Sequence, residues 1–288
     1  MEKNISARKI LGIVKGNDTW FGLKYNMNLY RGCQHGCIYC DSRSLCYGID
    51  NFDNEILIKE NAVDLLDKEI RRLKVRGTIG FGSMNDPYMP IELKYELVKK
   101  SLKVIERFRF PVHILTKSNL VLRDIEALNR ISNVYSAVSF TVTTPDDNMS
   151  KIIEPNAPVS SERFKAMSIL SCSGILTGTL LMPVLPYIED QIEKIHEIIA
   201  KTKENGGKYI VSSFGVTLRD RQKEYLINKL RVYFPEIADR YEEHKYYGFS
   251  AVNCKKLEKY FYETCTKYGI LTKMPIYRPP VVEQLTLF

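Results

Sequence analysis

The amino-acid sequence predicts an α/β protein whose core is a partial (β/α)6 barrel, followed by a C-terminal helical extension and an extended tail. Up to residue 217, six short apolar runs alternate with amphipathic segments of helical length. Such alternation is the pattern of parallel βαβ units. After residue 218 the helical periodicity continues without strand-like runs, and prolines punctuate the final segment. We therefore expect a core at 20–217, an extension at 218–270 and a tail at 271–288.

Each element follows from its own pattern. Short apolar runs predict strands at 25–30, 78–82, 112–116, 135–142, 175–182 and 209–214. Apolar residues spaced three or four apart predict core helices after the cap residue Asn61 and at 92–108, 121–131, 162–170 and 189–204. The extension is expected to hold helices at 219–234, 235–247 and 251–269, with no further strands.

Composition limits the class of protein. The 288 residues are 44% hydrophobic, which suffices for a large core. The sequence has no run of about 18 apolar residues, so no membrane-spanning segment is expected. The seven cysteines are an odd number and no secretory signal begins the sequence. We therefore expect reduced cysteines and a cytoplasmic location.

The net charge of +8 is concentrated in the last third of the chain. From residue 201 onward there are 16 Lys and Arg against 10 Asp and Glu, together with 10 of the 18 tyrosines. A basic surface with aromatic side chains for stacking suits a nucleic acid. Amphipathic helices with tyrosines packed inward and lysines facing water would give the same composition, so both interpretations stay open.

Three cysteines lie close together on the loop that follows the first predicted strand. Cys33, Cys37 and Cys40 form a Cys-x3-Cys-x2-Cys run. A four-iron cluster normally takes four cysteine ligands, so three would leave one iron without a protein ligand. Such an iron is available for chemistry rather than for electron storage alone. The alternative is a structural zinc ion, for which Cys46 or His35 would complete a set of four ligands.

Further motifs fall at the carboxyl ends of the predicted strands, where barrel enzymes build their sites. A turn with Gly82, Ser83 and Asn85 follows the second strand. Glycine allows close approach of the backbone, whose N–H and C=O groups can bind an ammonium or a carboxylate. Lys117 follows the third strand and is a point charge suited to a carboxylate. Each motif alone is ordinary, but their positions at successive strand ends predict one site.

The cysteine run, with the aromatic Tyr39 before its third cysteine, resembles the radical S-adenosylmethionine (SAM) superfamily. The resemblance implies that the amino and carboxylate groups of SAM chelate the open iron of a [4Fe–4S] cluster. It implies that an electron from the reduced cluster splits SAM and yields a 5′-deoxyadenosyl radical, which abstracts a hydrogen atom. A low-potential electron donor is then a required partner, and the implied fold is the partial barrel.

Several segments resemble the spore photoproduct lyase-like group of that superfamily, over about residues 26–268. They include Asn85-Asp86-Pro87-Tyr88, Leu115-Thr116-Lys117-Ser118, Glu154-Pro155-Asn156-Ala157-Pro158 and Phe214-Gly215-Val216-Thr217-Leu218-Arg219. The resemblance implies that the turn at Gly82 holds the SAM amino group and that Lys117 and Ser139 contact SAM. It also implies a role for Tyr39 in radical transfer and DNA as the partner.

The sequence departs from the lyase at two positions that matter for its reaction. The lyase uses a cysteine shortly after the second strand as a hydrogen-atom donor, whereas this chain has no cysteine between Cys46 and Cys172. The lyase also has a tyrosine directly after the third cluster cysteine, where this chain has Asp41. We therefore expect a relative of the lyase that catalyses a different reaction.

The last residues carry a separate motif. Gln284, Leu285, Leu287 and Phe288 resemble the Gln-Leu-x-Leu-Phe peptide by which bacterial replication and repair proteins bind the DNA sliding clamp. An extended peptide can place its apolar side chains in a groove and use the glutamine for hydrogen bonds. The alternative is that these residues fold back as a strap on the protein's own barrel.

The sequence thus predicts a cytoplasmic radical SAM enzyme that acts on nucleic acid, as a DNA repair enzyme does. One alternative keeps the radical chemistry but gives it a peptide or small-molecule substrate. The other is a non-enzymatic nucleic-acid-binding module that zinc or a closed cluster stabilises.

Overall fold

The structure, a computed structural model, describes residues 1–279. Within these residues the strands are β1 (Glu2–Ile5), β2 (Leu11–Ile13), β3 (Leu23–Met27), β4 (Tyr30–Arg31), β5 (Ile56–Lys59), β6 (Thr78–Phe81), β7 (Val112–Thr116), β8 (Ser136–Thr141), β9 (Leu176–Leu181), β10 (Tyr209–Ser212), β11 (Gly215–Thr217) and β12 (Gly248–Ser250). The α-helices are α1 (Ala62–Ile70), α2 (Glu92–Tyr95), α3 (Leu97–Arg107), α4 (Ile125–Ser132), α5 (Asp147–Ile153), α6 (Ser160–Cys172), α7 (Ile192–Glu204), α8 (Asp220–Tyr233), α9 (Pro235–Glu243) and α10 (Cys254–Tyr268).

The six predicted core strands form one parallel sheet. They pair in the order β3, β6, β7, β8, β9 and β10, and β2 adds antiparallel beside β3. In the described part of the chain, β2 and β10 do not pair with each other, so the sheet is not closed into a full barrel. The predicted α/β class and partial barrel are confirmed.

The two faces of the sheet bury different sets of residues. Val112 and Ile114 of β7 pack with the helices on the outer face, in the same core as Val138 and Phe140 of β8. The intervening residues, such as Leu115, line the interior of the open barrel. This separation follows from the two-residue period of a strand. Both faces are covered, which is why these strands appear in the sequence as continuous apolar runs.

Two predicted helices begin or break differently in the structure. The helix expected at 92–108 is divided into α2 and α3 because Glu96 adopts a left-handed conformation with φ of 50°. The helix expected at 121–131 begins as a 3-10 turn over Asn119–Asp124 before α4. The helix α5 was not predicted. It begins where the side chain of Asp146 accepts a hydrogen bond of 2.8 Å from the N–H of Asn148.

The prediction that strands end at residue 218 is wrong. Strand β12 pairs antiparallel with β11 in a small two-stranded sheet. The helix expected at 235–247 therefore stops at Glu243, and the chain turns into β12. His244 stabilises this turn because its ring stacks on Phe249 with 4.1 Å between the ring centroids. A further three-stranded sheet, in the order β1, β5, β4, was not predicted.

The described part of the tail packs against the core. Leu271 forms a parallel bridge with Tyr209 of β10, and the Tyr135 hydroxyl donates a 2.6 Å hydrogen bond to the carbonyl oxygen of Pro275. Met274 is buried in the interior of the open barrel. The clamp-like motif lies outside the described residues. Residues 1–279 contain no helix with the length and apolar character that a membrane crossing requires.

Candidate active site

A cavity of about 390 Å³ opens at the carboxyl ends of the sheet strands. Its wall includes Tyr39 together with both groups of predicted binding residues. These are Cys33, Cys37 and Cys40 from the cysteine loop, and Gly82, Ser83, Asn85 and Lys117 from the ends of β6 and β7. The segment 213–217 closes another side. Residues far apart in the sequence thus meet at the edge of the sheet where barrel enzymes carry out chemistry.

Glycines give the cysteine loop its shape. Gly32 has φ of 83° and Gly36 has φ of 68°, a region that other residues rarely adopt. A β-carbon on Gly32 would lie 2.4 Å from the carbonyl oxygen of Glu55, so a larger residue would displace the backbone. The N–H of Cys33 donates a 3.1 Å hydrogen bond to the carbonyl oxygen of Phe52. The two glycines and this backbone hydrogen bond therefore determine the conformation of the loop.

Arg43 stabilises the end of this loop. Its guanidinium donates a 3.1 Å hydrogen bond to the carbonyl oxygen of Cys37 and pairs with the Asp53 carboxylate. The same group lies 3.8 Å from the ring centroid of Tyr225. A planar, permanently charged guanidinium can make all three contacts together. Because Tyr225 belongs to α8, this stacking also joins the extension to the loop.

The first turn of α8 makes two more contacts to the loop. The Ser44 hydroxyl donates a 2.8 Å hydrogen bond to the carboxylate of Asp220. The side-chain amide of Gln222, which is fully buried, donates a 3.1 Å hydrogen bond to the carbonyl oxygen of Tyr39. The extension therefore supports the active site directly.

The cavity disfavours uncompensated thiolates. Burial raises the pKa of Cys33 to about 12. Burial also raises the pKa values of Cys37 and Cys40, although the nearby Lys117 opposes both shifts. At neutral pH these thiols stay protonated unless a metal replaces the protons. An iron–sulfur cluster fits this set of donors because its irons supply the positive charge that buried thiolates require.

A buried carboxylate organises the cavity wall beside the cysteines. Glu154 accepts a hydrogen bond from the Tyr39 hydroxyl and forms a 2.5 Å ion pair with Arg163. The Lys117 ammonium lies 3.9 Å from the same carboxylate and 5.6 Å from the ring centroid of Tyr39. Burial opposes ionisation of Glu154, but the charges of Arg163 and Lys117 lower its pKa.

Of the two cations beside Glu154, Lys117 is the one that reaches the cavity. Two cations, Arg163 and Lys117, face the single negative charge of Glu154. Arg163 is fully buried and its guanidinium also donates to the carbonyl oxygen of Thr141 at 2.9 Å. Lys117, by contrast, opens onto the cavity. Its charge is therefore available to an anionic group of a ligand.

The turn after β6 is fixed by its glycine. Gly82 has φ of 93°, and a β-carbon there would lie 2.2 Å from the carbonyl oxygen of Leu115 on the neighbouring strand. Ser83 is fixed by the side-chain amide of Asn26, which donates a 2.8 Å hydrogen bond to its hydroxyl. Only glycine permits this close approach. The backbone of the turn thus lies at the cavity wall without an intervening side chain at residue 82.

Asn85 presents an unused acceptor in the same turn. Its side-chain oxygen is buried and has no hydrogen-bond partner among residues 1–279. A buried polar atom without a partner is costly, and such atoms are commonly satisfied by a ligand or water. Because Asn85 lines the cavity, this oxygen is placed to accept a hydrogen bond from a ligand.

Asp86 connects this turn to the end of β7. Its carboxylate accepts hydrogen bonds from the Thr116 hydroxyl at 2.7 Å and from the Lys117 backbone N–H at 2.6 Å. His35 Nδ1 lies 3.4 Å from the carboxylate but is poorly aligned for a hydrogen bond. Burial opposes ionisation, yet the proximity of His35 and these hydrogen bonds lower the pKa of Asp86 to about 2. The carboxylate thus fixes the backbone that carries Lys117.

Ser139 is not among the residues that line the cavity, and its contact with SAM stays a prediction. Its hydroxyl is buried deeper in the barrel, 2.6 Å from the Tyr209 hydroxyl and 2.8 Å from His113 Nε2. Side chains that point to one face recur every second residue of a strand. Thr141, two residues further along, is therefore the residue of β8 that reaches the cavity.

Cys46 stands apart from the other three cysteines of its region. It is exposed, and its Sγ lies 3.3 Å from the Ser44 hydroxyl and 3.5 Å from Arg219 Nη1. Across residues 1–279, no three His, Cys, Asp or Glu side chains, the cysteine triplet included, are grouped closely enough to hold a single metal ion. Cys46, unlike the triplet, does not line the cavity.

Several functional side chains were not found by sequence reasoning. Glu154 was noted only as part of a motif, and no role was assigned to Arg163 or Thr141. Trp20, which also lines the cavity, was not noted at all. The available signal was the position of Glu154, a carboxylate directly between apolar residues and Pro155. The ion pair with Arg163 depends on tertiary packing.

The chain belongs to the radical SAM superfamily, whose family profile matches residues 27–199. Membership makes the protein an enzyme and implies SAM and an iron–sulfur cluster as its cofactors.

Individual proteins are similar to this chain in sequence or in structure. The chain is 33% identical over 207 residues to the uncharacterized protein MJ0683 of Methanocaldococcus jannaschii, covering 71% of this chain and 76% of that protein. It is 23% identical over 175 residues to the radical SAM Nalpha-GlyT isomerase of Pseudomonas phage M6, covering 60% and 36%. Spore photoproduct lyase complexed with dinucleoside spore photoproduct is similar in structure, with a TM-score of 0.69 at 14% identity over 94% of this chain and 81% of that one. The structural similarity shows a shared fold.

Proposed function

We propose that this radical SAM enzyme holds a [4Fe–4S] cluster through Cys33, Cys37 and Cys40 and acts on nucleic acid. The observation that carries the cluster assignment is the convergence of these three cysteines on one cavity. When bound and reduced, the cluster supplies the electron that splits SAM into methionine and a 5′-deoxyadenosyl radical. The residues around the cavity then have to bind SAM, exclude water and position a substrate.

We assign the amino-acid end of SAM to the wall formed by the ends of β6 and β7. The unpaired oxygen of Asn85 and the backbone at Gly82 and Ser83 suit the ammonium group. The positive charge of Lys117 on the cavity wall suits the carboxylate. These groups lie on the same cavity as the cysteines, as chelation of an open iron requires.

Tyr39 is our candidate for radical transfer. It lines the cavity, and its hydroxyl donates to the Glu154 carboxylate. A phenol that loses an electron must also lose its proton, and a hydrogen-bonded carboxylate provides a base for that proton. The position of Tyr39 on the cavity wall and its hydrogen bond to Glu154 are the support for this role.

Nucleic acid as the substrate is supported by the surface of the extension. Tyr246 is 77% exposed and Tyr262 is 53% exposed. The neighbouring lysines of α10, Lys255, Lys256 and Lys259, are also exposed. Exposed aromatic rings among lysines suit stacking on bases beside phosphates. Tyr241 is fully buried, so the inward-packing interpretation holds for that tyrosine.

The reaction proposed is not the repair of thymine dimers. All seven cysteines lie within the described residues, and the proposed cluster ligands are the only ones that line the cavity. The turn after β6 has Met84 where the lyase-like resemblance would require a cysteine as hydrogen-atom donor. A structural neighbour is nevertheless named as bound to dinucleoside spore photoproduct, which supports a nucleic-acid ligand for this fold.

The remaining parts of the proposal concern location and partners. We propose a cytoplasmic enzyme, since none of its seven cysteines forms a disulfide in the described chain. We propose that a low-potential protein reduces the cluster, and that the motif at 284–288 binds a DNA sliding clamp. The division into a core at 20–217, an extension at 218–270 and a tail at 271–288 remains our domain assignment.

Anaerobic reconstitution tests the cluster. We expect about four irons and four sulfides per chain, and conversion of SAM to methionine and 5′-deoxyadenosine on reduction. Alanine at Cys33, Cys37 or Cys40 should abolish the cluster and the cleavage of SAM. Cys46→Ala is the matched control and should leave the cluster and the cleavage intact. Stoichiometric zinc without iron, or cluster loss in Cys46→Ala alone, would contradict the assignment.

Salt-dependent binding tests the substrate class. Affinity for nucleic acid should fall steeply as salt rises, because bound phosphates release counterions. The probes are single-stranded, duplex and lesion-bearing DNA, and RNA. If none of them binds at low salt while SAM cleavage is intact, the substrate is a peptide or a small molecule instead.

A further inference from the structure

Trp20 is the only tryptophan of the chain and lies on the wall of the active-site cavity. It belongs to the segment that leads into β3, whereas the cluster cysteines belong to the segment that follows β3. The two groups therefore approach the cavity from opposite ends of the same strand. The residue is 47% exposed, although a large aromatic ring in a cavity usually packs against other side chains.

The backbone around Trp20 is firmly held. The Asp18 carboxylate accepts hydrogen bonds from the N–H groups of Trp20 at 3.0 Å, Phe21 at 3.3 Å and Leu23 at 3.0 Å. The ring of Phe21 stacks on His113 with 4.9 Å between centroids and 27° between planes. A rigid segment thus presents a ring that the protein leaves half uncovered.

The cavity that Trp20 lines also has surfaces suited to a flat, weakly polar group. Met84 and Met182 contribute thioethers to the cavity lining, and Leu180 contributes an aliphatic side chain. Sulfur and aliphatic groups make favourable contacts with the edges of aromatic rings. The polar groups that suit the amino-acid end of SAM, Asn85 and Lys117, come from the strand ends beside the cysteines.

We propose that Trp20 is the platform on which one base of the nucleic-acid substrate stacks, so that the base is presented to the SAM end of the cavity. The inference rests on the proposed function and specifies how that function is carried out. A base inside this cavity has left its own stack, and stacking on an indole compensates for that loss. A preorganised ring contributes more affinity than a mobile one because less conformational freedom is lost on binding.

The single tryptophan allows a direct test on anaerobic, cluster-loaded protein saturated with SAM. Tryptophan emission is followed while a short single-stranded DNA is added, and in parallel an oligomer of equal length with abasic sites throughout. The two ligands carry the same phosphates, so they differ only in the presence of the bases. We expect the DNA with bases to change the emission and the abasic oligomer to leave it unchanged.

Affinity measured by anisotropy of a labelled DNA provides the second readout. Trp20→Ala should weaken binding of the DNA with bases about 10-fold, as base–aromatic stacking predicts, while binding of the abasic oligomer is unaffected. Trp20→Phe should retain part of the affinity. Ile13→Ala is the matched control, since Ile13 is an exposed apolar residue outside the cavity lining and should change nothing. Unchanged melting temperatures would establish that the variants fold.

The other outcomes overturn the proposal in distinguishable ways. If the DNA binds the parent protein and Trp20→Ala equally well, stacking on Trp20 is refuted while the nucleic-acid substrate stands. If adding SAM to the cluster-loaded protein changes the emission and the subsequent addition of DNA changes it no further, Trp20 stacks on the adenine of SAM instead. If no DNA or RNA binds at any salt concentration, the proposed substrate class and the stacking proposal fail together.

Discussion

Replacing Lys117 by methionine is the sharpest test of the proposed SAM site. Methionine has nearly the length of lysine but no charge, so the cavity keeps its shape. The substitution leaves Glu154 paired with Arg163 at 2.5 Å, and it leaves all three cysteines in place. We therefore expect Lys117→Met to fold and to load its cluster. The property that should change is the affinity for SAM.

The magnitude follows from the position of the charge. Lys117 faces the cavity, and Arg163 shares its carboxylate partner Glu154, so the Lys117 ammonium can pair with an anionic group of a ligand. A charge-assisted hydrogen bond to a partly buried carboxylate contributes about 1.5–3 kcal/mol, which corresponds to about 10- to 100-fold in affinity. The dissociation constant of SAM should rise by that factor.

The assay is equilibrium binding of SAM to anaerobic, cluster-loaded protein, with iron content and the electron paramagnetic resonance signal of the reduced cluster measured on the same samples. Lys151→Met on α5 is the matched control, since Lys151 is exposed and outside the cavity lining. Lys117→Arg should retain most of the affinity. If Lys117→Met binds SAM as tightly as the parent protein with its cluster intact, the placement of Lys117 at the SAM carboxylate is refuted.

Three further outcomes are expected. Gly82→Ala should lower the melting temperature and weaken SAM binding more than Gly174→Ala does. Gly174 is the control, because it has a similar φ of 81° but no atom within 4 Å of an added β-carbon. Equal effects of the two substitutions would show that the close approach of residue 82 to Leu115 is unimportant. Charge reversal at the exposed lysines Lys255, Lys256 and Lys259 of α10 should reduce the slope of log affinity against log salt for nucleic-acid binding by about 3. An unchanged slope in filter-binding titrations would exclude this surface as the nucleic-acid site. Deleting 284–288 should abolish retention on immobilised sliding clamp while SAM cleavage persists; a fall of several degrees in melting temperature without any clamp binding by the intact chain would favour the strap.

The parallel core could be predicted because its strands are buried on both faces. A strand such as β7 therefore stands out as an unbroken apolar run, and its bounds at 112–116 are the predicted ones. The strand β1 could not be found this way, since three of its four residues are exposed and it shows no apolar alternation. Its partner β5 lies more than fifty residues away, so the pairing is a tertiary effect. The same holds for β12, a three-residue strand beside a loop.

The active site was predictable to the level of segments rather than of single side chains. The cysteine spacing and the strand-end position of Lys117 are local features, and the structure brings those residues to one cavity. Which residue of β8 reaches the cavity depends on how far along the strand the cavity begins. Ser139 and Thr141 share a face of the strand but lie at different depths in the barrel. Ser139 makes a buried hydrogen bond with Tyr209, whereas Thr141 lies on the cavity wall.

Glu154 explains why the segment 154–158, to which the sequence analysis assigned no chemical role, is part of the site. Its carboxylate receives the Tyr39 hydroxyl, pairs with Arg163 and lies 3.9 Å from Lys117. Without it, two buried cations would repel each other, and burial would favour a neutral Lys117. The carboxylate keeps Lys117 charged, because its negative charge raises the pKa of that ammonium group against the effect of burial. The motif after α5 therefore provides the counter-charge that maintains a cation beside the cysteines.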